Sequence, residues 1–163
     1  LVCAGVMASM ALEGRNKIVI AIAVLLSVIT PLQMLYWTAS SDWVAMSVQE
    51  RMAGEWIARN TPANSVFVTT TTHISPVDSV GGRLRVVGYT SWMGNFGFNY
   101  ATREALVRQA YCGNAAAKRD AMMRLNATYV YVGPAESREQ ACFTTDGLKQ
   151  EFINSDSAVY SLA

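Results

Sequence analysis

Charge is scarce in this chain. Only 15% of its 163 residues are Asp, Glu, Lys or Arg, against about 25% in an ordinary globular domain. The net charge is +1, so no broad field gathers polyanions, and nucleic acid is not expected as a partner. Histidine occurs once, as His73. A metal centre needs several converging ligands, and one histidine near Asp78 is too few, so no metal is expected. There is no Gly-x-Ser-x-Gly elbow for a hydrolase. Gly81-Gly82 is not followed by Lys-Ser/Thr, and the spacing of a dinucleotide fingerprint is missing. No cofactor is therefore expected. Internal repeats and low-complexity tails are also lacking.

Apolar residues make up 52% of the chain, and they gather near its start. Residues 1–12 (LVCAGVMASMAL) are small and apolar, and include Cys3. A polar break, EGRNK, follows at 13–17. Residues 18–37 (IVIAIAVLLSVITPLQMLYW) then carry no charge. That run matches the roughly 20 residues that cross a hydrocarbon core. Tyr36, Trp37 and Trp43 stand where aromatic rings favour an interface. The reading is the tail of one span at 1–12, a cytoplasmic turn at 13–17 and a full span at 18–37. Arg15 and Lys17 place the turn inside by the positive-inside rule. The rest then lies on the extracytoplasmic side of an integral membrane protein, with membrane lipid and further upstream spans as partners.

From residue 42 onward the pattern predicts one small α/β domain, 42–163. Asp42 caps an expected helix from Trp43 to Arg59, with Val44, Val48, Met52 and Trp56 as its apolar stripe. Strands are expected at Ser65–Thr70, Leu84–Val87, Thr128–Val132 and Ala158–Leu162. Helices are expected at Tyr100–Tyr111 and after Asn114, and a short one near Asp146–Phe152. Alternating strands and helices imply a mostly parallel sheet of about four strands.

The stretch TTTTHISPVDSVGGRLRVVGYTSW, residues 69–92, joins the first two strands. His73, Ser75 and Asp78 are the residue types of a nucleophilic triad, but triad members meet across a fold rather than within one loop. Pro76 and Gly81-Gly82 read as turn formers, with His73 bonded to the backbone. The segment from Gly88 to Tyr100 is rich in aromatics, Gly and Asn. It suits sugar stacking and hydroxyl recognition. It equally suits a membrane interface or packing against protein. Arg83, Arg85 and Arg103 are suited to a phosphate. Cys112 and Cys142 form a disulfide or remain two separate thiols. Asn126-Ala127-Thr128 is a glycosylation sequon.

The run ARNTP…VFVTT…HISPV…GGR…VVGYTSW…GFNY…RE…ATYVYVGPAE resembles the C-terminal extracytoplasmic domain of multi-pass GT-C-type glycosyltransferase-like membrane proteins, related to dolichyl-phosphate-mannose mannosyltransferases. The resemblance covers roughly Glu55 to Leu162 and the preceding span. It implies transfer of a sugar from a polyprenyl-phosphate donor. The catalytic acidic residue of such enzymes lies in an early outer loop, so no residue here inherits that role. The domain would shape the substrate site, with His73, Arg83, Tyr89, Trp92 and Arg103 as ligand-facing groups. The alternative expectation is a membrane-anchored ligand-binding or structural domain without catalysis.

Overall fold

The computed structural model describes residues 17–41 and 44–163, with side chains in the first helix described at residue 18 and from residue 25. The expectations for residues 1–12, for Cys3 and Arg15, and for Asp42 and Trp43 lie outside the described residues. The chain divides into two units between Trp43 and Val44.

The first unit contributes helix α1, Lys17–Ser40, with Pro31 inside it. Among the described residues no helix is long and apolar enough to cross a membrane. The described part of this helix carries polar residues at Ser27, Thr30, Gln33, Thr38 and Ser40. The hydroxyls of Thr38 and Ser40 turn back to donate to the carbonyls of Met34 (2.8 Å) and Tyr36 (2.6 Å). This overturns the expected span at 18–37. The integral-membrane placement, the orientation and the extracytoplasmic side were all built on that span, and they fall with it.

The second unit starts with α2, Val48–Asn60. Its cap is Ser47, whose Oγ accepts from Glu50 N–H while the Glu50 carboxylate accepts from Ser47 N–H. This reciprocal box starts the helix five residues later than the expected Trp43. Thr61 and Pro62 end it. The expected stripe is not the buried face: Val48 and Met52 are 70% and 53% exposed, whereas Ala53 and Ile57 are fully buried. Small residues win that face because helix α3, Pro76–Ser79, comes very close. A Cβ on Gly54 would lie 2.6 Å from Val80 Cβ and 2.8 Å from the Pro76 carbonyl. Gly54→Ala is accordingly expected to cost about 1–3 kcal/mol by overpacking, read as a lower urea midpoint at unchanged slope.

Five strands form the sheet: β1 Val66–Val68, β2 Leu84–Arg85, β3 Tyr129–Val132, β4 Leu148–Ile153 and β5 Ala158–Leu162. Their order is β2-β1-β3-β5-β4. The β1–β2 and β1–β3 pairs are parallel, while β3–β5 and β4–β5 are antiparallel. The sheet is therefore mixed and five-stranded, not mostly parallel and four-stranded. The extra strand is β4, where a short helix is expected from sequence. A hairpin brings it back beside β5, and antiparallel neighbours need only such a turn.

Strand alternation supplies two cores. Phe67, Tyr131 and Val159 face α2 and α3 on one side. Val68, Val130, Ala158 and Tyr160 face α5 (Ala101–Cys112) and α6 (Ala115–Arg124) on the other. Asn114 caps α6 through Oδ1, which accepts from Ala117 N–H at 3.0 Å. Two short helices complete the unit, α4 at Thr90–Asn95 and α7 at Pro134–Glu139.

Candidate functional site

In β1 and β3 the chain runs the same way, so both strands end on one edge of the sheet. From β1 the chain moves outward to β2, then crosses back past β1 to β3. Loops leaving β1 and β3 therefore part company at that edge, the place where open α/β sheets form ligand crevices. A cavity of about 600 Å³ lies there, lined by Thr70, Thr71, Glu104, Arg108, Glu139 and Gln140 among others. That volume is in the range of small-molecule sites.

Each wall has a sequence reason. Thr70 and Thr71 continue the β1 run. Glu104 and Arg108 sit one turn apart on α5, so both face the cavity. Glu139 and Gln140 end α7, which Gly133-Pro134 starts at the close of β3, with proline at its favoured first position. A buried carboxylate holds the two strand ends together: Glu136 accepts from Thr70 N–H and from Gly133 N–H, each at 3.1 Å. Burial pushes the Glu136 carboxyl above its ordinary range, against the three backbone hydrogen bonds that pull it down. Thr70 Oγ1 donates to the Glu139 carboxylate. Tyr111, from α5, lies beneath and donates to the Tyr131 carbonyl at 2.6 Å, with the Val68 carbonyl 3.2 Å away.

Three of the five residues expected to face a ligand come together. The rings of His73, Tyr89 and Trp92 meet edge to face, with centroids 4.6 Å apart for His73–Trp92, 5.2 Å for His73–Tyr89 and 5.9 Å for Tyr89–Trp92. Trp92 remains 55% exposed. The trio follows the ends of β1 and β2, on the same edge as the cavity, and the chain joins the two features directly. His73 is two residues beyond Thr71, and α4 leads into the start of α5, where Ala101 lines the cavity.

The two arginines go elsewhere. Arg83 clasps the end of α2, donating to the carbonyls of Ala58 (2.8 Å), Thr61 (2.7 Å) and Gly81 (3.0 Å). Arg103 donates to the Val86 carbonyl at 3.2 Å. Arg85 is held by Asp78 at 3.0 Å and by the Thr72 carbonyl at 3.1 Å. Asp78 is thus used by an ion pair and Ser75 by the cap of α3. The loop is scaffold around its histidine. Among the described residues no cluster of three metal-ligating side chains occurs.

Cys112 and Cys142 are joined as a disulfide, with Cα atoms 5.1 Å apart and a sequence separation of 30. Closing a loop of that length removes about 3–4 kcal/mol of unfolded-chain entropy. Cys142 itself lines the cavity. Asn126 is exposed and left-handed (φ 51°), at the opposite edge of the sheet, just before β3.

No protein-family model matches this chain, and no curated protein matches it either. The site therefore stands on its geometry.

Sequence reasoning missed Glu104, Arg108, Glu136, Glu139 and Gln140. One signal for the last three was legible. A glutamate at the third position of a Gly-Pro-started helix, directly after a β-branched strand, reaches back to the strand end.

Proposed function

We propose that the unit from Val44 to Ala163 is a ligand-binding domain for a saccharide, shaping a substrate rather than carrying out chemistry. One observation carries this reading. An exposed tryptophan, braced by His73 and Tyr89, lies on the same sheet edge as a 600 Å³ cavity with carboxylate, guanidinium, amide and hydroxyl groups in its lining. Sugars need both surfaces, an aromatic face for their C–H side and convergent polar groups for their hydroxyls. Arg108 and Glu104 make no ion pair within the domain, so they are free to meet hydroxyls. The resemblance to glycosyltransferase-like proteins suggests the sugar class, a hexose of the kind carried on a polyprenyl phosphate, with the catalytic base supplied elsewhere.

The test is saturation-transfer NMR of the full chain with methyl glycosides of mannose, glucose, galactose and N-acetylglucosamine. Transfer to at least one glycoside is expected, and no transfer to any of them would reject the reading. Trp92→Ala should weaken binding of the responding glycoside at least tenfold while shifting the melting temperature by no more than about 2 °C, because an exposed ring contributes little to folding. Equal affinity in the variant would remove Trp92 from the site.

A further inference from the structure

We propose that the Cys112–Cys142 disulfide is a gate on the cavity, holding it in its binding shape when oxidised and loosening it when reduced. The ligand half of this inference rests on the saccharide reading above. The two cysteines belong to opposite walls. Cys112 is the last residue of α5, the helix that contributes Glu104 and Arg108. Cys142 follows Glu139 and Gln140 in the segment that leaves α7, and all three of those residues line the cavity. The bond is the covalent tie between the walls.

What surrounds the bond decides how much of the fold depends on it. Beyond Cys142 the chain is anchored without it. The Phe143 ring packs against Tyr111 and Tyr160 at 5.9 and 5.5 Å. Thr144 N–H donates to the Tyr111 carbonyl, and the buried Lys118 ammonium donates to the Thr144 carbonyl and, at 2.9 Å, to its hydroxyl. Before Glu139, the buried Glu136 is fixed by two backbone N–H groups. The stretch from Glu139 to Cys142 lies between these anchors. Its own ties are the disulfide, the Thr70–Glu139 bond, and the bonds from Gln140 N–H to Glu136 and Phe143 N–H to Gln140. Reduction therefore frees one cavity wall and leaves the core packed.

Cys142 is exposed and Cys112 half-buried, so an attacking thiolate reaches the Cys142 sulfur first. A dithiol reductant forms a bond to Cys142 Sγ, the Sγ–Sγ bond breaks, and its electron pair leaves on Cys112 as a thiolate. The second thiol of the reductant then displaces Cys142. Two protein thiols and one cyclic disulfide of the reductant result, with two electrons and two protons transferred.

The experiment compares the full chain oxidised, reduced with dithiothreitol, and as the Cys112→Ser, Cys142→Ser double variant. Amide hydrogen exchange and affinity for the methyl glycosides are both measured. The gate predicts exchange at least tenfold faster across residues 139–142 on reduction, little change in β1, β3 and β5, and glycoside affinity at least fivefold weaker. The double variant should behave as the reduced protein. Unchanged exchange at 139–142 overturns the gate, as does faster exchange with unchanged affinity. Loss of protection throughout the sheet also overturns it, since the bond is then structural. If the oxidised protein binds no glycoside yet exchange at 139–142 rises on reduction, the saccharide reading fails and the gate on the cavity wall is kept.

Discussion

Replacing Tyr111 by alanine will destabilise the second unit by about 4–5 kcal/mol, the upper end for a buried aromatic. The ring is fully buried, so its removal leaves a cavity between α5 and the sheet. The hydroxyl is lost as well, and it serves the Tyr131 carbonyl, with the Val68 carbonyl close by. Those carbonyls belong to β3 and β1, the strands that frame the crevice. Tyr111→Phe separates the two contributions. It keeps the ring and should cost only about 1–2 kcal/mol, the usual range for a lost buried hydrogen bond. Urea melts of both variants check this. A cost for Tyr111→Ala below about 2 kcal/mol would show that the helix, not this side chain, holds the strands together. Domains of this size retain about 5–15 kcal/mol in total, so the alanine variant stands near the edge of folding.

Removal of the Glu136 side chain is the second large effect. Glu136→Ala strands the N–H groups of Thr70 and Gly133, which no longer have an acceptor. A cost of about 2–4 kcal/mol is expected. Glu136→Gln keeps one acceptor oxygen and turns an amide N–H₂ toward the other donor, so it should cost less. It also removes a titration. Burial raises the folded carboxyl above its ordinary value of 4.5. The folded state therefore prefers the protonated acid, and the resulting stability is fully present below 4.5. It is lost as pH rises through the raised folded value. The deficit of the glutamine variant should accordingly be greatest near pH 4 and shrink toward neutrality. Thermal melts of both proteins from pH 4 to pH 8 measure it. A deficit that grows with pH would mean that the buried carboxylate prefers its charge.

Local chemistry made much of the α/β unit legible in the sequence. β-branched runs mark β1, β3 and β5, and Asn114 announces α6. Strand β4 was not legible, for two physical reasons. It is an edge strand, so Lys149 and Gln150 stay exposed and Glu151 half-buried, and the three read as polar. It also carries a register shift between Gln150 and Phe152, which breaks the alternation that reveals strands. The membrane reading rested on the charge-free run at 18–37, and among the described residues no helix is long and apolar enough to cross a membrane. His73, Tyr89 and Trp92 drew attention because aromatic residues stand out in a loop, and the fold brings their rings together. Arg83 and Arg103 bind backbone carbonyls, and a sequence does not show which carbonyls come within reach. Glu139 and Arg108 were overlooked because charges on helices usually face solvent. Only the crossing from β2 to β3 brings these two together.

The strand order sets a timetable for synthesis. β5 occupies the sheet interior between β3 and β4, yet it is the last of these five strands in chain order. Until residues 158–162 emerge, β3 presents an open edge, one core lacks Val159 and the other lacks Ala158 and Tyr160. Such an edge invites pairing with a neighbouring nascent chain. The β4–β5 hairpin shortens that exposure because its contacts are local, and local contacts form fast. Asn154 braces its turn, with Oδ1 accepting from Asp156 and Ser157 N–H, while its amide donates to the Gln49 carbonyl at 2.9 Å. The same turn therefore ties the hairpin to α2 as well as closing it.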